Sequence, residues 1–210
     1  MNPLIISAIA LLIAYLLGAL PTGYWAGRLL RGIDIREVGS KSTGATNVLR
    51  TLGKGPAIAV LLLDILKGAV AIAAARYIGS GLPMEWSYWV VAFAGLAAVL
   101  GHARSIWLRF SGGKSAATGL GVLLTMAWPV GLGVALMFGV VLALSRIVSL
   151  SSLAAALTSI VLMKYYDQPT PYFFLAVVGG LYVILRHRSN IQRLIAGTEP
   201  RIGRMHSEIS

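Results

Sequence analysis

The sequence predicts an all-α, polytopic integral membrane protein: seven transmembrane helices, some of them short, N-terminus outside and C-terminus cytoplasmic, in a single domain covering residues 1–210. Three observations carry this expectation. Of the 210 residues 57% are hydrophobic and 12% charged, with mean hydropathy +0.80, too little polar material to cover a soluble domain of this size. Apolar runs recur along the whole chain, near residues 4–27, 56–78, 88–101, 117–128, 130–145, 150–165 and 171–186. With the N-terminus outside, 15 of the 18 Lys and Arg fall on inner-face segments, as the positive-inside rule requires.

Taken in order, the first apolar segment, Leu4 to Leu20, has no basic residue before Arg28. The basic n-region of a signal peptide is missing, so a retained span is expected. An inner segment, 28–54, then holds Arg28, Arg31, Arg36, Lys41, Arg50 and Lys54. The second span contains Asp64 and Lys67, three apart and so on one face. Intramembrane charge is costly, so they read either as an ion pair facing the bundle or as a functional pair. Trp86, Trp89 and Trp107 read as interfacial anchors around the third span. Arg104, Arg109 and Lys114 form the next inner segment. The 117–145 run is broken by Pro129 and by Gly131 and Gly133, and a hairpin of two short spans fits its length better than one tilted helix. Arg146 marks the following inner junction, and Arg186, Arg188, Arg193, Arg201 and Arg204 the inner tail; Lys67, Arg76 and Lys164 are the exceptions. Five spans is the lower bound of this reading.

The absence of Cys excludes disulfides and thiolate metal sites. A net charge of +11 would suggest nucleic acid in a soluble protein; here topology explains it first and anionic lipid or substrate second, and no nucleic-acid partner is expected.

Four segments carry candidate chemistry. Gly39 to Arg50 is a small, hydroxyl-rich inner loop with Ser40, Thr46 and Asn47 and a forked charge at Arg50, the equipment of a phosphate cradle at a membrane surface. Gly101 to Thr118 contains His102 and the run Gly112, Gly113, Lys114, Ser115. That run is no P-loop, because position 108 is Leu108 instead of Gly and no βαβ context exists; it offers a mobile point charge at a helix mouth. Ser149, Ser151 and Ser152 open the sixth span, either as helix caps or as phosphate ligands. Finally His187 and Asn190, three apart, share a face of a continuing helix just before Glu199. In the expected topology the second, fourth and sixth spans begin at the inner face and aim their positive N-terminal ends there.

Together these segments resemble the bacterial acyl-phosphate-dependent glycerol-3-phosphate acyltransferases of the PlsY type. The family's first pattern is matched by Gly39, Ser40, Gly44, Ala45, Thr46, Asn47 and Arg50. Its second is matched by Gly101, His102, Phe110, Gly112, Gly113, Lys114, Ala117 and Thr118, and its third by His187, Asn190, Ile191, Arg193, Leu194, Gly197 and Glu199. Ser42 stands where the family has Asn and Ser115 where it has Gly, which implies retuned hydrogen bonding and loop flexibility.

The resemblance implies a multi-pass enzyme of the inner (plasma) membrane with its site facing the cytoplasm. It would move a fatty acyl group from acyl phosphate to the 1-hydroxyl of sn-glycerol 3-phosphate, giving lysophosphatidic acid and phosphate, the opening step of phospholipid synthesis. No cofactor and no metal are expected, and the partners are the two substrates and the bilayer, with the chain a monomer. Ser40, Arg50, His187 and Asn190 are the expected catalytic residues. Thr46, Asn47, Gly112, Gly113, Lys114 and Ser152 would bind phosphate, with Glu199 and His102 in support. The His-x-x-x-x-Asp dyad of other glycerolipid acyltransferases is absent: the fifth residue after His102 is Trp107 and after His187 is Gln192. An acyl phosphate carries a good leaving group, so less activation of the nucleophile is needed, and the hydroxyl proton goes to His187 or to the acyl phosphate's own oxygens. The acyl chain is expected between helices, where Gly119 and Gly121 leave room.

A transporter of phosphate or an organic anion is the competing class, since it also wants basic glycine-rich loops and broken helices. It predicts an internal repeat and midplane charges, whereas the motif residues here cluster at one face. A CDP-alcohol phosphotransferase would need an Asp-rich metal motif, which this chain lacks.

Overall fold

The computed structural model describes residues 2–203; Arg204, counted among the inner-face charges, lies outside them. The described residues are helical with short connections: α1 (Pro3–Gly18), α2 (Thr22–Arg31), α3 (Ala45–Leu52), α4 (Lys54–Ile78), α5 (Met84–Ala103), α6 (Ala116–Met126), α7 (Trp128–Ser145), α8 (Val148–Tyr165), α9 (Thr170–Arg186) and α10 (Arg188–Ile195).

Five stretches are long and apolar enough to cross a membrane: Pro3–Arg31, α4, α5, α7 and α8. The pair α9 and α10, bent by 62° at His187, makes a sixth. Apolar helices stand at all seven expected places, α6 being the shortest of them. Its 11 residues rise about 16 Å, roughly half the ~30 Å hydrocarbon thickness. Chain reversal is the physical reason: Gly131 of α7 lies against the Leu124 backbone of α6, so the segment folds back as a hairpin at Trp128–Pro129.

Packing relies on small side chains, as expected where backbones must approach closely without a hydrophobic drive between helices. Ala10 and Ala14 of α1, Ala71 and Ala75 of α4 and Ala94 and Ala98 of α5 form the buried centre of one crossing. Gly68 of α4 and Gly121 of α6 each meet the partner helix's backbone, so Gly121 serves helix packing and leaves no room for an acyl chain. Pro21 interrupts the first span, since it cannot continue the helical hydrogen-bond ladder; the Leu20 carbonyl there accepts from Lys67 Nζ at 2.9 Å. Two of the three basic residues that escape the charge rule therefore have structural partners: Lys67 at this break, and Arg76, whose guanidinium donates to the Thr125 and Met126 carbonyls at the end of α6 (2.8 and 2.9 Å).

The Gly39–Arg50 segment is loop only in its first half. Ala45, Val48, Leu49 and Leu52 recur at helical spacing, and α3 packs Val48 and Leu52 against Ile35, Ala57 and Val60. Arg36 pins the preceding turn to the next loop: it chelates Asp34 and donates to Ser111 Oγ at 3.0 Å.

Candidate active site

One cavity of about 260 Å³ gathers residues from eight helices, α3 to α10, and from the loops before α3 and α6, the α9–α10 bend and the tail. Its polar end is lined by Ser40, Thr46, Arg50, Lys114, Ser149, Ser152, His187, Asn190 and Glu199. It continues into an apolar part between α6, α7, α8 and α9, walled by Leu123, Phe138, Ala155, Leu175, Gly179 and Val183. Gly119 lines it as well.

The helix starts that reach this cavity are those of α3, α6 and α8, through Ala45 and Thr46, Ala116 and Ala117, and Val148 and Ser149. The sixth and fourth spans thus contribute as the charge pattern suggested, but the first loop supplies α3 in place of the second span. Unpaired first-turn N–H groups of three helices point their partial positive charge at one volume.

Lys114 donates from Nζ to Asn190 Oδ1. Asn190 Nδ2 donates to Glu199 Oε1 at 2.6 Å, the oxygen that also accepts from Ser149 Oγ at 2.8 Å. Arg193 Nε donates to the other carboxylate oxygen at 2.7 Å. Glu199 therefore locks α8, α10 and the tail together, and through Asn190 aims the Lys114 ammonium. Burial opposes ionisation of Glu199, but the hydrogen bonds from Asn190, Ser149 and Arg193 outweigh it and hold the carboxyl below its ordinary value. Burial also lowers Lys114 to about 8; Glu199 opposes this, and Arg193, Arg50 and Arg186 add to it.

His187 sits at the α9–α10 bend, 3% exposed, so the helix expected to continue through His187 and Asn190 is broken there, yet both line the cavity. Its Nδ1 lies 2.8 Å from the Val183 carbonyl. A carbonyl cannot donate, so Nδ1 carries the proton, and in the neutral ring Nε2 is left as an acceptor.

Three residues expected to contact phosphate stand behind the wall and not in it. Asn47 is spent on the loop: Nδ2 donates to the Ile35, Val38 and Ser42 carbonyls (2.9, 3.1 and 2.9 Å), and Oδ1 accepts from the Ser40 amide at 2.8 Å. Its amide, with no N–H left to donate, shapes the turn that presents Ser40. Gly112 and Gly113 lie against the end of α5, where a methyl group on Gly113 would run into the His102 ring. The Gly113 amide donates to the His102 carbonyl at 3.1 Å, and its own carbonyl accepts from Arg186 Nη2 at 2.9 Å. Both glycines are needed for close approach, and Lys114 follows directly.

Asp64, read as one half of a possible ion pair, also lines the cavity. Its Oδ1 is 2.8 Å from Lys67 Nζ, accepts from Thr22 Oγ1 at 2.7 Å, and lies 3.5 Å from His102 Nδ1. Arg186, Ser149 and Arg193 were given no separate role from sequence, although Ser149 lies in the serine run that opens α8 and Arg193 in the third family pattern; Arg186 had no such signal.

The profile of the family described as "Glycerol-3-phosphate acyltransferase" matches residues 8–197. The chain belongs to this family. It is 58% identical to a glycerol-3-phosphate acyltransferase of Nostoc sp. over 203 residues, 91% of this chain and 90% of that one. It is 60% identical to glycerol-3-phosphate acyltransferase 2 of Rhizobium johnstonii, covering 96% of this chain and 98% of the relative. Its fold is similar to the crystal structure of PlsY, an integral membrane glycerol 3-phosphate acyltransferase, in the glycerol 3-phosphate form: TM-score 0.84 at 36% identity, covering 94% of this chain and 96% of the other. The lysophosphatidic acid form of the same enzyme gives a TM-score of 0.82.

Proposed function

We propose that this cavity transfers a fatty acyl group from acyl phosphate to the 1-hydroxyl of glycerol 3-phosphate. Acylation of glycerol 3-phosphate is the activity of the family, and the donor, the residue roles and the topology are this reading's own. The observation that carries it is the convergence of Ser40, Thr46, Arg50, Lys114, Ser152, His187 and Asn190 on one volume that continues into an apolar slot. A polar end of fixed cations suits two phosphates, and the slot suits an acyl chain.

In this scheme Arg50 and Lys114 neutralise substrate phosphate, helped by the Ser40, Thr46 and Ser152 hydroxyls and by the starts of α3, α6 and α8. His187 Nε2 accepts a hydrogen bond from the attacking hydroxyl and orients it. The hydroxyl oxygen bonds to the acyl carbon, the bond from that carbon to the phosphate oxygen breaks, and inorganic phosphate leaves. The hydroxyl proton ends on a phosphate oxygen of the donor. No carboxylate holds His187, whose Nδ1 faces a backbone carbonyl; that supports substrate assistance over a His base. Asn47, Gly112, Gly113, His102 and Glu199 hold these groups in place.

The charge pattern supports seven membrane passes, α6 with α7 completing the count as a short hairpin, N-terminus outside and the polar end of the cavity facing the cytoplasm of a bacterial inner membrane. The chain works as one domain and as a monomer.

The test is phosphate release by the purified chain in detergent, given palmitoyl phosphate with and without glycerol 3-phosphate, in EDTA. Release that requires the acceptor and yields lysophosphatidic acid is expected; acceptor-independent release, or none from folded protein, overturns the donor assignment. In the same assay His187→Ala should keep a rate about 10–100-fold below the parent; loss beyond about 10⁴-fold would make His187 the obligatory base.

A further inference from the structure

Lys114 is effective only if its ammonium stands in register with His187 and Asn190, yet it lies on a connection with no helical support of its own. What fixes it is visible in its neighbours. On the C-terminal side Ser115 donates from Oγ to the Val99 carbonyl at 2.7 Å, tying the chain to α5. On the N-terminal side Gly113 is held from two directions: its amide by the His102 carbonyl at 3.1 Å, and its carbonyl by Arg186, through Nη2 at 2.9 Å and Nε at 3.3 Å.

Arg186 is the last residue of α9, directly before His187. Of the three anchors it alone comes from the helix that carries the reacting end of the site. We propose that Arg186 is a positioning residue that registers the Lys114 loop against His187 and Asn190 by a two-pronged grip on the Gly113 carbonyl. A basic residue at the inner end of a span would ordinarily turn to water or lipid phosphate; this one turns inward and is half-buried. Arginine suits the task because its planar fork presents two donors to one oxygen in a fixed geometry, which a lysine cannot reproduce. The proposal rests on the reading that Lys114 holds a substrate phosphate.

The test uses the full chain in detergent, assayed for acyl transfer from palmitoyl phosphate to glycerol 3-phosphate, as a cycle of Arg186→Gln, Lys114→Arg and the double variant, with Arg186→Lys beside it. Displacement of a positioned group by about 1 Å costs on the order of a hundredfold, so Arg186→Gln should lower kcat/KM by about that factor, with Arg186→Lys recovering part of it. Because Arg186 acts through Lys114, adding Arg186→Gln to Lys114→Arg should cost less than about threefold more. Where Lys114→Arg turns over too slowly to compare, protection of the folded chain against heat by glycerol 3-phosphate is read in the same variants. An equal cost in both backgrounds overturns the proposal, as does Arg186→Lys at the parent rate. A loss that vanishes when the variant is assayed below its own melting range also overturns it. If Lys114→Gln itself is at the parent rate, the phosphate role of Lys114 fails, a result distinct from failure of the positioning role alone.

Discussion

Asp64 and Lys114 are charged groups on the wall of the same cavity, and they differ in whether their charge is matched beside them. Around Asp64 the charges close on themselves: Oδ1 meets Lys67 at 2.8 Å and accepts from Thr22 at 2.7 Å, and Lys67 in turn donates to the Leu20 carbonyl, with Asp64 1% exposed. Around Lys114 the network runs through Asn190 and Glu199 to Ser149 and Arg193 but leaves ends open. Lys114 keeps two N–H donors, Arg50 has no carboxylate partner among the described residues, and His187 keeps Nε2. A closed cluster offsets its own burial and holds helices together; an open one is completed by an anion brought from outside. Function follows from charge left unmatched more than from charge itself.

The sharpest way to break this comparison is to open the closed cluster. Asp64→Ala leaves Lys67 buried without its counter-charge and should cost about 3–5 kcal/mol of stability, read as a large fall in the thermal midpoint in detergent. Asp64→Leu with Lys67→Met removes both charges and should cost far less, with turnover per folded molecule within about threefold of the parent. A large loss of turnover at an unchanged midpoint would make Asp64 a participant in the reaction and end the distinction.

The open cluster is tested through Lys114. Lys114→Gln should lower kcat/KM by about 10²–10³, without an equal fall in melting temperature. The parent should also lose kcat/KM as pH rises through about 8, where buried Lys114 gives up its proton. The sign follows from the charged form being both the one that binds phosphate and the one that burial disfavours. The rising-pH limb should be absent in Lys114→Arg, whose guanidinium stays charged. A limb that persists there belongs to another group.

The smallest effect concerns Ser115, which adopts a left-handed backbone (φ +65°) where the family pattern has Gly, and donates to Val99. Ser115→Ala keeps the strain and loses the bond, for about 1 kcal/mol. Ser115→Gly loses the bond and relieves the strain, for a net change within about 1 kcal/mol. Midpoints in the order Ser, Gly, Ala or Gly, Ser, Ala agree; an alanine variant as stable as the parent would mean that the bond contributes nothing to holding the Lys114 loop.

Much of this was legible in one dimension, because hydropathy and charge act locally along the chain. Seven apolar segments, the α6–α7 hairpin at Pro129, the clustering of basic residues between apolar segments and the four motif segments are all properties of short stretches of residue types. The membership of the family rests on the same stretches, since spacing within a loop survives without knowledge of the fold. What sequence spacing did not reveal is where side chains point. Asn47 and the glycine pair match the motifs as well as Ser40 and Lys114 do, yet they face backward, because three carbonyls claim the Asn47 amide and the His102 ring claims the space above Gly113. Arg186 looked like any inner-face charge until α9 was packed beside the Gly113 carbonyl. The Thr22 bond to Asp64, the Arg186 grip on Gly113 and the cavity joining polar end to apolar slot all depend on contacts between residues tens of positions apart. The sequence determined a membrane protein and the parts of a phosphate site; only the tertiary structure decided which of those parts face the cavity, since burial and direction are set by what packs on the far side of each helix.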